Sequence, residues 1–199
     1  MDKKLKRLFK MFDVKKNDDI SASIEYAYFK HRNQTREDGS PYIMHPIRVA
    51  NKVIQYEKEF IESHIIGAIL HDTIEDSDAT YEDISSRFGI GVANLVQELT
   101  SDDELKHKMG KTNYLKEKLE KMDKEAFLIK LCDRLDNVED LINASDEFKI
   151  KYIVETEELV KYLLDNVSLN EAELNIIKDI CYKLAEYDQT LKCMRYRIK

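Results

Sequence analysis

Two prolines and five glycines are all the strong helix breakers that this chain of 199 residues carries. In a helix interior Gly costs about 1 kcal/mol and Pro about 3 kcal/mol relative to Ala, so their scarcity points to an all-α fold. Between turn signals the apolar residues recur at helical rather than alternating spacing. That spacing predicts a helix over 20–32, with Ser21 or Ser23 near its cap. A polar loop follows over 33–44, turning at Asp38-Gly39-Ser40-Pro41, then a helix over 46–57 with Pro46 in its first turn. The strongly apolar IESHIIGAILHDTIE reads as one buried helix over 61–75. Thr80-Tyr81-Glu82-Asp83 resembles a capping box opening a short helix that ends at Gly89. Further helices are expected at 90–100, 113–122, 124–142, 146–165 and 170–189, the last two as a hairpin, with 101–112 a polar loop. No repeat, low-complexity tract or Pro/Gly/Ser-rich linker interrupts them. The expected organisation is one helical domain over 1–165 and a C-terminal helical extension over 166–199 packed on it.

A formal charge of −7 gives no overall attraction for nucleic acid or an anionic membrane, so neither is expected as a partner. A small anionic substrate would need a local positive correction, and a metal ion is the simplest one. Cys132, Cys181 and Cys193 are an odd set without C-x-x-C spacing, and read as reduced, mostly buried thiols. Met1–Phe12 is basic and amphipathic but lacks a signal peptide's apolar stretch. No run approaches the ~20 apolar residues of a membrane-spanning helix. The expected location is the cytoplasm; the oligomeric state is not legible.

The buried run over 61–75 ends in His71-Asp72-Thr73-Ile74-Glu75-Asp76. At ~100° per residue, positions i, i+1, i+4 and i+5 span roughly 140° of a helix face. His71, Asp72, Glu75 and Asp76 then look into one space. Three acids sit badly at a helix C-terminus, where the backbone dipole is already negative; a solvated helix end is the plainer alternative. A divalent cation would compensate them, and imidazole with carboxylate suits manganese, iron or zinc. His45 lies just before Pro46, at the mouth of a helix. Asp133 lies in FLIKLCDRLDNVEDL, among the core-facing Phe127, Leu128, Leu131, Leu135, Val138 and Leu141. Each taken alone has a blander reading, a packed histidine and an Asp paired with Arg134.

The order H…HD…D resembles the HD phosphohydrolase superfamily, and longer strings narrow it. His31-Arg32-Asn33-Gln34-Thr35-Arg36 and Gly39-Ser40-Pro41-Tyr42-Ile43-Met44-His45-Pro46 look like the opening of the alarmone hydrolase domain of the RelA/SpoT family. His71 to Asp76 resembles its HD-x-x-ED motif, and Lys130-Leu131-Cys132-Asp133-Arg134-Leu135-Asp136-Asn137 its KLADRLxN motif. The resemblance covers roughly 20–142 and implies a helical HD-domain bundle with one manganese ion. It implies hydrolysis of the 3′-pyrophosphate of ppGpp or pppGpp to GDP or GTP and pyrophosphate, by a stand-alone small hydrolase. It also implies His45, His71, Asp72 and Asp133 as metal ligands, and Glu75 and Asp76 as the pair associated with the attacking water. Arg36, Ser40, Tyr42 and Asn137 match positions near the nucleotide. The chemistry is coherent: a bound metal neutralises phosphoryl charge and acidifies water, and a nearby carboxylate takes the proton.

Two positions depart from the resembled pattern. Glu37 follows Arg36, and Glu139 stands two after Asn137, each where a basic residue is usual. Either Arg32, Lys111 and Arg134 serve the phosphates instead, or the substrate is another nucleotide or a phosphorylated dinucleotide cofactor. A non-catalytic nucleotide-binding module on the same scaffold is a third reading, which the full ligand set argues against. His64, about 10 Å up its helix from His71, reads as a packed or surface residue, and His31 as a support of the site from behind. Tyr152 and Tyr162 read as core. Glu155, Glu157 and Glu158 read as a solvated face, and Lys192, Arg195, Arg197 and Lys199 as a frayed basic tail.

Overall fold

The computed structural model describes residues 18–197, with side chains through Tyr187. The basic stretch Met1–Phe12 and the side chains of Cys193 and the basic tail lie outside the described residues. Regular structure is helical, as expected: α1 (Asp18–Lys30), α2 (Met44–Tyr56), α3 (Glu62–Leu70), α4 (Thr73–Asp76), α5 (Tyr81–Phe88) and α6 (Ile90–Leu99) come first. α7 (Asp103–Met109), α8 (Lys111–Lys121), α9 (Lys124–Asp140), a 3-10 turn (Leu141–Asn143), α10 (Asp146–Asn166) and α11 (Glu171–Arg197) follow. An isolated bridge between Thr35 and Pro41 pinches the loop before α2.

The core forms around α3, which is buried from Ile65 to Leu70, and α9, which buries most of its residues. α3 packs on α1, α2 and α6, while α9 packs on α2, α6 and α11. Ile65, Ile69 and Leu70 of α3 meet Ile47 and Val53 of α2 and Ile129, Leu131 and Val138 of α9 in one continuous buried cluster. α3 and α6 approach closely at Gly67, where an added Cβ would lie 2.5 Å from Leu95 Cδ2 and push that side chain aside. α2 is the shared neighbour of α3 and α9, so its N-terminus, the C-terminus of α3 and the middle of α9 come together.

Several expectations are corrected. The helix read as continuous over 61–75 stops at Leu70, turns through His71 and Asp72 (φ −98°, ψ −1°) and resumes as α4. Side chains take the carbonyls that a continuous helix would use: His71 Nδ1–H donates to Ala68 O at 2.8 Å, and Thr73 Oγ1–H to Leu70 O at 2.7 Å. Residues 101–112 are not a loop but hold α7. Asp102 caps α7 by accepting from Leu105 N at 2.9 Å, and Gly110 (φ +78°) ends it. α7 buries no residue, so it carries no periodic apolar signal. α1 begins at Asp18, which puts Ser21 and Ser23 inside it rather than at its cap. The capping box at Thr80 is present, Oγ1 accepting from Asp83 N at 3.1 Å. α11 packs chiefly on α9 and also runs against α10, the helix before it. Cys132 is buried, but Cys181 is exposed.

Candidate active site

The helix packing carries three donor side chains to one point. His45 comes from the first turn of α2, His71 from the turn after α3, and Asp133 from the middle of α9. One ligand atom of each lies within 4.8 Å of the other two. His45 Nε2 is 3.2 Å from Asp133 Oδ1 and 3.6 Å from Asp72 Oδ2, and His71 Nε2 is 3.0 Å from Asp72 Oδ2. All four residues are buried.

The hydrogen bonds behind the rings settle which nitrogen faces the cluster. His71 Nδ1 carries the proton it gives to Ala68 O, so Nε2 is the nitrogen that faces the cluster, where it offers a lone pair once deprotonated; buried there, it makes no hydrogen bond of its own. His45 Nδ1 donates to Asp136 Oδ2 at 2.8 Å, which turns its Nε2 inward as well. Two imidazole lone pairs facing two carboxylates make a donor set that fits a divalent cation.

The electrostatics agree. Burial opposes a charged His45, yet the Asp133 and Asp136 carboxylates raise its pKa to about 9. Burial likewise opposes ionised Asp72 and Asp133. The His71 ring beside Asp72, and Lys130 at 3.0 Å from Asp133 Oδ2, nevertheless hold both well below the usual carboxylate range. Such a negative, enclosed point takes up a proton or a metal ion, and metal binding displaces the proton.

Of the acids on α4, Asp76 stays with the cluster and Glu75 turns aside. Tyr42 Oη–H donates to Asp72 Oδ2 at 2.6 Å and lies 3.2 Å from Asp76 Oδ2. Burial and the neighbouring Asp72 raise the Asp76 pKa. Burial and the Asp72 charge also push the Tyr42 phenol far above its ordinary range, so it stays a donor. Glu75 Oε2 accepts from Ser101 N at 2.9 Å, and its Oε1 is 3.7 Å from Lys106 Nζ.

A cleft of about 260 Å³ opens beside the cluster, lined by Arg36, Glu37, Asp38, Tyr42, Asn137, Asp140, Phe148 and Tyr152 among others. Tyr42 and Asn137 belong to both places, since Asn137 Nδ2 donates to Asp133 Oδ1 at 2.6 Å. Arg36 stands 5.8 Å from the Tyr42 ring centre and donates to Asn137 Oδ1 at 3.0 Å. Ser40 is not among the lining residues. Its backbone shapes the loop, the carbonyl accepting from Arg36 N and the N–H donating to Asp38 Oδ1.

Of the other residues read from the sequence, some are revised and some stay as expected. Arg134 and Lys111 do not stand free for phosphate, because both pair with Glu155, at 2.8 and 3.1 Å. Glu155 is therefore buried rather than part of a solvated face, while Glu157 and Glu158 are exposed. Arg32 rests on the Phe29 ring and donates to Phe29 O. Tyr152 lines the cleft, with Phe148 stacked on it at 5.7 Å and Arg134 4.7 Å from its ring centre. Glu139 pairs with Lys52 at 2.7 Å, whereas Glu37 lies on the cleft wall. His64 pairs with Glu57, and His31 Nδ1 meets Gln34 Oε1 behind Tyr42. Sequence reading missed Asp136 and Asp140. Their spacing from Asp133, i+3 and i+7 on one helix face, was the available signal.

The model for the HD domain matches residues 23–160. The chain belongs to the HD-domain family. It is 35% identical over 167 residues to the guanosine-3′,5′-bis(diphosphate) 3′-pyrophosphohydrolase MESH1 of Drosophila melanogaster, covering 80% of this chain and 90% of that protein. The Danio rerio protein of the same name is 40% identical over 128 residues, 63% of this chain and 70% of that protein. A guanosine-3′,5′-bis(diphosphate) 3′-pyrophosphohydrolase of Aquifex aeolicus is 42% identical over 144 residues, 71% of this chain but 20% of that much longer protein. A solved structure described as a metazoan ortholog of SpoT that hydrolyses ppGpp superposes with a TM-score of 0.72 at 31% identity, covering 84% of this chain and 96% of that one.

Proposed function

We propose that this protein hydrolyses the 3′-pyrophosphate of guanosine alarmones, ppGpp or pppGpp, releasing pyrophosphate and GDP or GTP. The observation that carries the reading is the double membership of Tyr42 and Asn137. Each lines the cleft and touches a carboxylate of the donor cluster, Asp72 for Tyr42 and Asp133 for Asn137. A nucleotide seated in the cleft therefore has its phosphate directed at the cluster. The relatives named for this activity support the same substrate.

His45, His71, Asp72 and Asp133 would hold the metal, manganese in this reading. When bound, it supplies phosphoryl charge neutralisation and an acidified water. The chain's own groups do the rest. Asp76, its pKa raised, is the carboxylate suited to take the water's proton. Glu75, held by Ser101 N–H, faces away from the cluster and would orient the water only on leaving that bond. Arg36 and Tyr42 offer a planar cation and an aromatic face to the purine. Tyr42 Oη–H keeps Asp72 in place. Residues 166–199 are read as a helical extension on the 1–165 domain, a reading supported by Ile176, Ile177 and Ile180 joining the common core. No described helix is long and apolar enough to cross a membrane, and a cytoplasmic enzyme is our reading.

One observation favours a second substrate class. Of the cleft-lining residues, Arg36 is the cation and Glu37, Asp38 and Asp140 are acids, a balance that suits a nucleotide with fewer phosphates or a phosphorylated dinucleotide cofactor. Incubating manganese-loaded protein with ppGpp decides between them. Equimolar GDP and pyrophosphate are expected; no pyrophosphate, with turnover of another nucleotide, would overturn the alarmone reading.

A further inference from the structure

A closed circuit of side chains joins the donor cluster to the cleft. His45 Nδ1–H donates to Asp136 Oδ2 at 2.8 Å. Arg48 grips both oxygens of Asp136, Nε to Oδ1 and Nη2 to Oδ2, each at 2.9 Å. The same Nη2 reaches Asp140 Oδ2 at 3.0 Å, which also accepts from Arg36 Nε at 2.9 Å. Arg36 donates to Asn137, Asn137 to Asp133, and Asp133 Oδ1 closes the circuit 3.2 Å from His45 Nε2.

We propose that Asp136 is a positioning residue for the metal centre, holding His45 in the tautomer and ring orientation that aim Nε2 at the cation, with Arg48 as its clamp. Asp136 is 1% exposed, and a carboxylate so buried needs fixed partners. Arg48, together with Lys52 at 3.3 Å, would neutralise it without His45. The short bond to His45 Nδ1 is the directional one, and Nδ1 has a carboxylate to hold it just where its other nitrogen faces the cluster. A carboxylate behind a ligating imidazole fixes the ring and raises its basicity, and losing it typically weakens metal binding 10- to 100-fold. Because Arg48 also holds Asp140, and Asp140 holds Arg36, the same clamp sets the position of the cleft's guanidinium.

The inference rests on the reading that His45 is a metal ligand, and the test separates the two. The Mn2+ dissociation constant of the metal-free full chain is measured by electron paramagnetic resonance, alongside its melting temperature. Asp136→Ala is expected to bind Mn2+ about 10- to 100-fold more weakly. Asp136→Asn, whose amide oxygen can still accept the Nδ1 proton, should recover part of the loss. Arg48→Met should show a smaller weakening. A merely structural Asp136 would lower the melting temperature and leave the dissociation constant alone. Folded Asp136→Ala with parental Mn2+ affinity overturns the proposal. If that variant does not fold, parental affinity in both Asp136→Asn and Arg48→Met overturns it instead. Undiminished binding by His45→Ala would remove the ligand reading itself, and with it the inference.

Discussion

Replacing Arg134 by Met should destabilise the fold rather than chiefly weaken substrate binding. Arg134 Nη1 lies 2.8 Å from Glu155 Oε1 and 3.3 Å from Thr156 Oγ1, and the side chains of Arg134 and Glu155 are 11% and 8% exposed. Breaking a buried ion pair by removing one partner costs about 3–5 kcal/mol, because the other charge is left uncompensated. Here Lys111 remains 3.1 Å from Glu155 Oε2, but it is 49% exposed and repairs only part of the loss. The expected cost is therefore roughly 2–3 kcal/mol, a melting-temperature drop of roughly 5–10 °C for a chain of this size. Adding Glu155→Leu removes the stranded charge, so the double variant should regain most of that stability. Urea unfolding of the parent, both single variants and the double variant gives the coupling energy. The pH dependence has a definite sign. Burial opposes the charge on Glu155, but Arg134 outweighs it and lowers the folded pKa. The pair's contribution is thus present above the ordinary glutamate pKa and fades as pH falls through the lower folded value. A neutral Arg134→Met, or a double variant no more stable than the single one, would refute this reasoning.

Asp76→Asn should retain Mn2+ while losing kcat, about 100-fold or more as the proton acceptor, and Glu75→Gln, whose carboxylate is turned to Ser101 N–H, should retain Mn2+ and lose less; unchanged kcat in either counts against its role. Lys118 donates to the carbonyls of Leu99 and Thr100, and burial, reinforced by Lys130, depresses its pKa to about 8. Between that value and the ordinary lysine pKa the unfolded chain binds more protons, so stability should rise with pH across this window. Urea midpoints of Lys118→Met should lack that rise, and an identical slope in parent and variant would contradict the assignment.

The fold was legible because α2, α3 and α9 carry apolar periods that packing then uses. The donor residues were legible as residue types in order, but not the way they meet. The sequence reading placed His71, Asp72, Glu75 and Asp76 on one helix face. The structure instead breaks the helix at His71, because the side chains of His71 and Thr73 take carbonyls that the backbone would need. The break is what lets Asp72 face His45 while Glu75 turns to Ser101. α7 was invisible to periodicity because it buries nothing, though Asp102 and Gly110 marked its ends. Glu155 looked like one member of an exposed acidic run, since its partners Arg134 and Lys111 come from α9 and α8. Pairings between helices leave no mark in local spacing: the i+3 and i+7 steps put Asp136 and Asp140 on the face of Asp133, but nothing local set Asp136 against His45 and Arg48 of α2.

Metal analysis of purified parent, His71→Ala and Asp133→Ala, each checked for helicity by circular dichroism, bears most directly on the cluster. One Mn2+ per chain in the parent and none in either helical variant is the expected result. Equal metal content in all three would contradict the account, because the imidazole and carboxylate brought together from α3 and α9 would then not be what holds the ion.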